Sequence, residues 1–144
     1  MIDRAQIEKL IPHAGRMCLL DRIDAWDAHM IRCRATSHRD PTNPLAVDAW
    51  LGAACGVEYA AQAMALHGGL TGAVGGRPGS GYLVSLRALS LKVERLDRLA
   101  GDLIVEAERL AGEGPSVSYG FSVSHDCIVL LSGRAAVILD EEKP

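Results

Sequence analysis

One stretch of this chain breaks the pattern of the rest. Val47 to His67, VDAWLGAACGVEYAAQAMALH, is apolar on nearly every side, and its glycines and alanines keep it thin. It predicts one long helix over 47–67, with Asp48 as N-cap, that other elements must wrap. Elsewhere apolar positions recur every second residue. In His29 to Thr36, Ile31, Cys33 and Ala35 face one way and Arg32, Arg34 and Thr36 the other. In Val117 to Ser124, Val117, Tyr119, Phe121 and Val123 point inward and the serines outward. Leu103 to Leu110 shares Leu103, Val105 and Ala107 on one face. Tyr82 to Glu94 alternates but slips near Ala88 and Leu89, which predicts a β-bulge. Ile128 to Leu139 is apolar on both faces, as a central or covered strand requires. Met17 to Ile23 predicts a first strand, hairpinned to the second through Asp24 to Ala28. Asp3 to Leu10 predicts a short helix capped by Asp3.

The predicted order is short helix, two strands, long helix, four strands. Short links between the last four favour an antiparallel meander. The expected fold class is α+β: a single domain over 1–144, with a curved antiparallel sheet wrapped around one central helix.

Composition narrows the function. With 144 residues, 49% hydrophobic, 23% charged and a net charge of −3, the chain has no electrostatic footprint for nucleic acid. The long helix carries Glu58, Gln62 and His67, so it reads as a core helix and not a membrane span. The opening MIDRAQIEKLIPH is too polar for a signal peptide, and the expected location is cytoplasmic. Cys18, Cys33, Cys55 and Cys127 show no C-x-x-C spacing and read as reduced core thiols, with no metal site. The stretch from 68 to 81 is half glycine and reads as a flexible connection. It lacks the G-K-[ST] ending of a phosphate-binding loop.

The chemistry starts from Glu58 and Gln62. They sit four apart, one turn from each other on the same face. A carboxylate in an apolar helix must be paired, neutral or employed, because burying a lone charge is costly. An apolar setting would raise its pKa and fit it for general-acid work, with Gln62 holding the carboxyl or a water. The alternative is a Glu hydrogen-bonded at a subunit interface with no chemical task. Cys55, Leu51 and Gly56 lie near the same face and are candidates to line a pocket. For Cys55 packing is the default, since a nucleophilic thiol needs a base and an exposed thiolate. His13 lies in the bend before the first strand and is a candidate base, or a turn histidine bonding backbone. His38 precedes a proline-rich loop and is another candidate. His67 ends the long helix, where capping fits the dipole. His29 and His125 fall in predicted turns.

Three motifs resemble the hotdog-fold 3-hydroxyacyl-ACP dehydratases of fatty-acid synthesis, and most closely the dehydratase-like subunits of aryl polyene biosynthesis. Leu10-Ile11-Pro12-His13 with Met17-Cys18-Leu19-Leu20-Asp21-Arg22-Ile23 is similar to that family's L-P-H-R-x-P-F-L-L-V-D-R-V opening. Glu58-Tyr59-Ala60-Ala61-Gln62 is similar to its E-A-x-A-Q on the central helix. Leu99-Ala100-Gly101-Asp102-Leu103 with Ile104 to Ala107 is similar to its P-G-D-x-L-x-x-x-A. Asn43-Pro44-Leu45 and GVEYAAQAMALHG resemble the aryl polyene branch in particular. The fatty-acid enzymes also carry a catalytic His in G-H-F-P about fourteen residues before the helix Glu. Here Pro44 to Ala54 holds no histidine.

The resemblance implies dehydration of a 3-hydroxyacyl thioester on acyl carrier protein or CoA, without a cofactor. Glu58 would be the acid, His13 a possible base, and Gln62, Cys55, Leu51 and Gly56 would contact substrate. Helix N-terminal amides would hold charge on the thioester oxygen. The site would lie between two hotdog chains, as a homodimer, a heterodimer with a second hotdog subunit, or a higher oligomer. The missing histidine keeps two alternatives open: a weakly active or non-catalytic partner of a complete dehydratase, and a hotdog thioesterase. Arg77 would be a contact for a pantetheine phosphate. Arg87, Lys92, Arg95 and Arg98 form either a patch that steers an acidic carrier or a solvated strand edge.

Overall fold

The computed structural model describes residues 1–10, 17–71, 81–113 and 116–139. It comprises β1 (Ile2–Asp3), α1 (Arg4–Leu10), β2 (Arg22–Trp26), β3 (Met30–Ala35), α2 (Gly56–Leu70), β4 (Gly81–Leu91), β5 (Leu103–Glu113), β6 (Ser116–His125) and β7 (Ile128–Leu139). All strands join one antiparallel sheet in the order β1-β2-β3-β5-β6-β7-β4.

Only β5, β6 and β7 form the expected meander. β4 pairs with β7 at the far edge and not with β5. The reason is the helix. After β3 the chain crosses the sheet as α2 and comes down beyond β7, so β4 starts at the opposite edge. The expected buried faces of β5 and β6 hold. Val117, Tyr119, Phe121 and Val123 are buried, as are Leu103, Val105 and Ala107. β7 lies between β6 and β4. The β4–β7 register shifts between Arg87 and Ser90, where Ala88 takes a left-handed φ of 53°: this is the expected bulge.

At the N-terminus Asp3 Oδ1 accepts from Gln6 N at 2.9 Å, and Gln6 Oε1 accepts from Asp3 N at 3.0 Å. The two satisfy each other's backbone donors as a capping box. The first strand is shorter than Met17 to Ile23 predicts. Cys18, Leu19 and Leu20 are buried outside any strand, held to α2 rather than to a neighbouring strand.

The central helix starts later and ends later than its apolar pattern suggests. Asp48 is not its cap. Asp48 and Ala49 both take left-handed φ, 51° and 63°, at the tip of a tight turn closed by Val47 N to Trp50 O and Trp50 N to Val47 O, each 2.9 Å. Residues 51–53 then bond to the 94–97 segment: Leu51 N donates to Asp97 Oδ1, Leu96 N to Leu51 O and Ala53 N to Glu94 O. These partners satisfy the backbone groups that a helix would otherwise use, and tertiary pairing overrides propensity. A 3-10 turn, Ala53–Cys55, leads into α2. At the other end Thr71 closes the helix through its N and Oγ1, both donating to His67 O. The remainder of the glycine-rich stretch, 72–80, lies outside the described residues.

His67 does not cap. It is fully buried, and Nε2 donates to the carbonyl of Asp27 at 2.8 Å. A carbonyl only accepts, so Nδ1 is the bare nitrogen and accepts from the Tyr119 hydroxyl at 2.8 Å. Burial pushes its pKa below the ordinary 6.5, and does the same to the buried His38. In both, burial favours the neutral imidazole in the fold. Stability is therefore full above the unfolded-chain value and falls as pH drops below it, because the unfolded chain takes up protons that the folded chain refuses. Urea unfolding between pH 7.5 and 5.5 should show a loss of at most about 1.4 kcal/mol per pH unit for each imidazole. His67→Phe should flatten that slope. A slope unchanged by His67→Phe would refute this account.

Candidate functional site

α2 buries most of its surface against the concave face of the sheet, but a single sheet does not enclose it. Ala54 and Glu58 are exposed, and Ala61 and Ala65 are half-buried. Their spacing of three and four makes one uncovered stripe along the helix. Beside it runs β4. Leu83, Leu86 and Leu91 stand opposite the buried Val137, Ala135 and Leu131, so they face the helix side of the sheet. They nevertheless remain 40%, 39% and 45% exposed. The outer edge of β4 pairs with no strand among the described residues. The open stripe and the apolar inner face of an unpaired edge strand thus form one incomplete seam.

Glu58 is the only ionisable side chain on that stripe. It lies in the first turn of α2, where the helix dipole favours negative charge. The apolar enclosure expected around it is not supplied by the described residues of this chain, and no hydrogen bond or ion pair to it is formed among them.

Among the described residues Gln62 makes no hydrogen bond to Glu58. Its Oε1 accepts from Leu19 N at 2.9 Å and its Nε2 donates to Met17 O at 2.6 Å. The buried amide fastens the 17–19 segment to the helix. Leu51 is fully buried, with both backbone groups bonded to the 96–97 segment. Cys55 is half-buried, its Sγ 3.9 Å from Leu45 O, and burial raises its thiol pKa, which suits packing better than attack. Cys18 and Cys33 are buried free thiols, whereas Cys127 is exposed on the β6–β7 turn and is not the core thiol expected. Gly56 is buried because nothing larger fits: a Cβ there would lie 2.6 Å from Leu131 Cδ2. Its amide donates to Ala53 O and Ala54 O, within the turn that leads into the helix.

The histidines lie apart from Glu58 in their bonding. His38 is buried, with Nε2 donating to Leu99 O at 2.9 Å and Nδ1 without a partner. His67 serves the Asp27 carbonyl and Tyr119. His125 bonds Ala100 O on the β6–β7 turn. His29 is exposed on the β2–β3 turn. His13 and Arg77 fall outside the described residues.

Two clusters went unread in the sequence. Ser37 donates to Leu19 O at 2.7 Å, so the Tyr59 hydroxyl must donate to Ser37 Oγ at 2.8 Å, and Asn43 Nδ2 donates to Tyr59 Oη at 3.0 Å. This buried relay pins the Asn43-Pro44-Leu45 loop to α2. The second cluster supports the turn before the helix. The Arg95 guanidinium stacks 3.6 Å from the Trp50 ring centroid and grips Asp97 through two bonds of 2.9 and 2.5 Å. That grip, with the Leu51 amide, holds the Asp97 carboxyl well below the usual carboxylate range. Sequence spacing gave no signal for either cluster: Arg95 and Asp97 lie two apart, but Trp50 is far earlier in the chain, and the relay joins residues from three separate segments.

An antiparallel sheet folded over one long helix is the hotdog arrangement, and solved structures share it. The dehydratase heterocomplex ApeI:P from Xenorhabdus doucetiae matches with a TM-score of 0.82 and 21% identity, over 94% of this chain and 91% of that one. AziG from S. sahachiroi matches at 0.64 and 12%, over 92% and 99%. A hypothetical thioesterase with coenzyme A from Streptococcus pneumoniae TIGR4 matches at 0.59 and 7%, over 85% and 88%. At these identities the likeness is one of fold. No protein of curated function matches. Residues 5–143 match the ApeP-like family, described as ApeP dehydratase, and the chain belongs to that family. Among the described residues no helix is long and apolar enough to cross a membrane.

Gly56→Ala tests how closely the helix is seated. Leu131 is fully buried and cannot swing into solvent, so the added methyl should cost about 1–3 kcal/mol by urea unfolding. Leu131→Ala in the same chain should absorb part of that loss, giving non-additivity. Additive costs would show that the two groups do not meet.

Proposed function

We propose that this chain is one subunit of a dehydratase built from two hotdog chains, acting on a 3-hydroxyacyl thioester in aryl polyene or fatty-acid-like synthesis. The observation that carries the proposal is Glu58, the lone ionisable group on the uncovered stripe of α2 among the described residues. Family membership supports the reaction class. The ApeI:P protein is itself described as a heterocomplex, which supports a second hotdog chain as partner. A partner laid along β4 would continue the sheet, cover Leu83, Leu86 and Leu91, and close an apolar wall over Glu58.

In that setting desolvation favours the protonated carboxyl, which makes Glu58 a general acid. It gives its proton to the C3 hydroxyl, which departs as water, while a base takes the C2 proton and the electrons left form the C2–C3 double bond. The base is His13 or an imidazole of the partner. Gln62 acts at one remove, by fixing the 17–19 segment beside the helix.

The placement of the histidines favours a second reading. None of His29, His38, His67 and His125 bonds to Glu58. On that reading the chain is a non-catalytic partner that shapes the tunnel of a complete dehydratase. Glu58→Gln separates the two. In the assembled complex, formation of the ultraviolet-absorbing enoyl thioester should fall about 10²–10⁴-fold if Glu58 is the acid. Turnover at the wild-type rate would remove that assignment and leave the partner reading. Release of free thiol from the thioester, without enoyl product, would instead mark a thioesterase.

A further inference from the structure

The outer face of the sheet, turned away from α2, carries charges sorted by strand. One row crosses four strands. Glu108 on β5 lies opposite Gly120 on β6, Gly120 opposite Arg134 on β7, and Arg134 opposite Arg87 on β4. Ala107, Phe121 and Ala135, the next residues along three of these strands, are buried, so the row itself points outward. Glu108, Arg87 and Arg134 are exposed, and among the described residues none has an ion pair. Glu108 and Arg134 stand two strands apart, roughly 10 Å, too far to pair within the chain. Elsewhere on this face opposite charges do meet. Asp24 accepts from Arg22 Nε at 2.7 Å and from Arg34 Nε at 2.5 Å, and Glu106 lies 3.8 Å from Arg32.

About Gly120 the row reverses in sign. The acidic end opens as a hollow of about 460 Å³ lined by Glu106, Glu108 and Ser122, and the basic end as one of about 390 Å³ lined by Arg87, Arg134 and Ser118. Between them the surface is low. Gly120 has no side chain, and Ser118, Ser122, Ser132 and Ala136 around it are small. Leu110 rises beside it, 52% exposed, with its Cδ1 3.7 Å from where a Cβ on Gly120 would lie.

We infer that this face is a two-fold contact between two copies of this chain, packed outer sheet to outer sheet about an axis that runs along β6 at Gly120. A half-turn about that axis exchanges β5 with β7. It sets Glu108 of each copy over Arg134 of the other, and it brings the two Leu110 side chains together at the centre, where the bare Gly120 leaves room. Stacked sheets lie ~10 Å apart, a gap that a glutamate and an arginine reaching from opposite sides close. Arg87 stands next to Arg134, and one carboxylate already serves two guanidiniums in this fold, as Asp24 does. The face supplies both signs, which selects a second copy over an acidic protein: such a protein would answer the arginines and be repelled by Glu106 and Glu108. The contact lies on the side of the sheet opposite the α2 seam. It therefore leaves the β4 edge free for another hotdog chain, and nothing in it depends on the dehydratase reading.

The test is sedimentation equilibrium of the full chain, alone and in complex with any hotdog partner, counting copies of this chain per particle. The wild type should pair through this face and come apart as salt rises. Glu108→Arg and Arg134→Glu should each weaken the pairing about tenfold or more and leave Tm unchanged, since both side chains are exposed. A mixture of the two variants should pair again at near wild-type strength, because each of the two contacts then joins a glutamate to an arginine. Pairing of either variant alone at wild-type strength overturns the proposal, and so does a mixture that pairs no better than its components. One copy of this chain per particle at the highest soluble concentration overturns it as well. Association that survives both charge reversals and is lost in Leu83→Lys would place the contact on the β4 edge and overturn the contact proposed for the outer face.

Discussion

The connection from β3 to β4 has to cross the whole sheet, and most of the structure follows from that. β3 sits on one side of the sheet and β4 at the opposite edge. The chain between them can bury its apolar residues only by lying in the concave face, so α2 becomes the core. Gly56 lets the helix approach β7 closely enough to touch Leu131. The same crossing delivers β4 last, outside β7, with one edge unpaired. A helix has a full circumference to cover, and one layer of sheet covers only part of it. The stripe of Ala54, Glu58, Ala61 and Ala65 is the remainder.

Buried polar groups then fix how the core goes together. Apolar packing alone would tolerate α2 sliding along the sheet, because dispersion and area burial carry no direction. The Gln62 clamp on the 17–19 segment, the Asn43-Tyr59-Ser37 relay and the His67–Tyr119 pair do not tolerate it. Each made bond is worth only about 1 kcal/mol net, yet each broken one strands a buried group at a cost of about 1–3 kcal/mol. That asymmetry makes these groups registration marks more than sources of stability. His38 departs from the pattern, with a buried Nδ1 that no described atom satisfies.

What the sequence made legible is what local pattern decides. Alternation identified the buried faces of β3, β5 and β6, and the slip at Ala88 located the bulge, because each is a property of a few consecutive residues. The start of α2 was misread because it is settled from far away: residues 51–53 take their backbone partners from 94–97, and no propensity within Val47 to Cys55 reveals that. The position of β4 was misread for a similar reason, since short links between strands say nothing about which edge the first of them occupies. At the site, Glu58 stood out as the odd charge on a greasy helix, which is a local fact. Its exposure is not local, because it depends on how far round the helix the sheet reaches. Gln62 showed the limit most plainly. One turn from Glu58 on the same helix, it has no bond to it, because two backbone groups some forty residues earlier claim its amide.

A chain that fits its polar groups together this thoroughly makes its exceptions informative. Asp24 bridges one arginine pair, Asp97 engages Arg95, and Gln62, Tyr59 and His67 are each satisfied by two partners. Apart from the buried His38 Nδ1 and the outward Glu108, the unmatched features singled out among the described residues lie along the β4 flank. They are the free edge of β4, its leucines, the bare stripe of α2 with Glu58, and the opposed Arg87 and Arg134. A long, apolar, unpaired edge strand is a hazard in a protein meant to stand alone, and natural chains usually blunt it with charge, proline or a covering segment. Here the inner face of that strand is leucine and the strand is 11 residues long, β-bulge included. Selection for a solitary fold would remove such a flank. Its presence fits a unit in which another hotdog chain supplies the missing edge, and in which the carboxylate of Glu58 becomes buried only when that chain arrives.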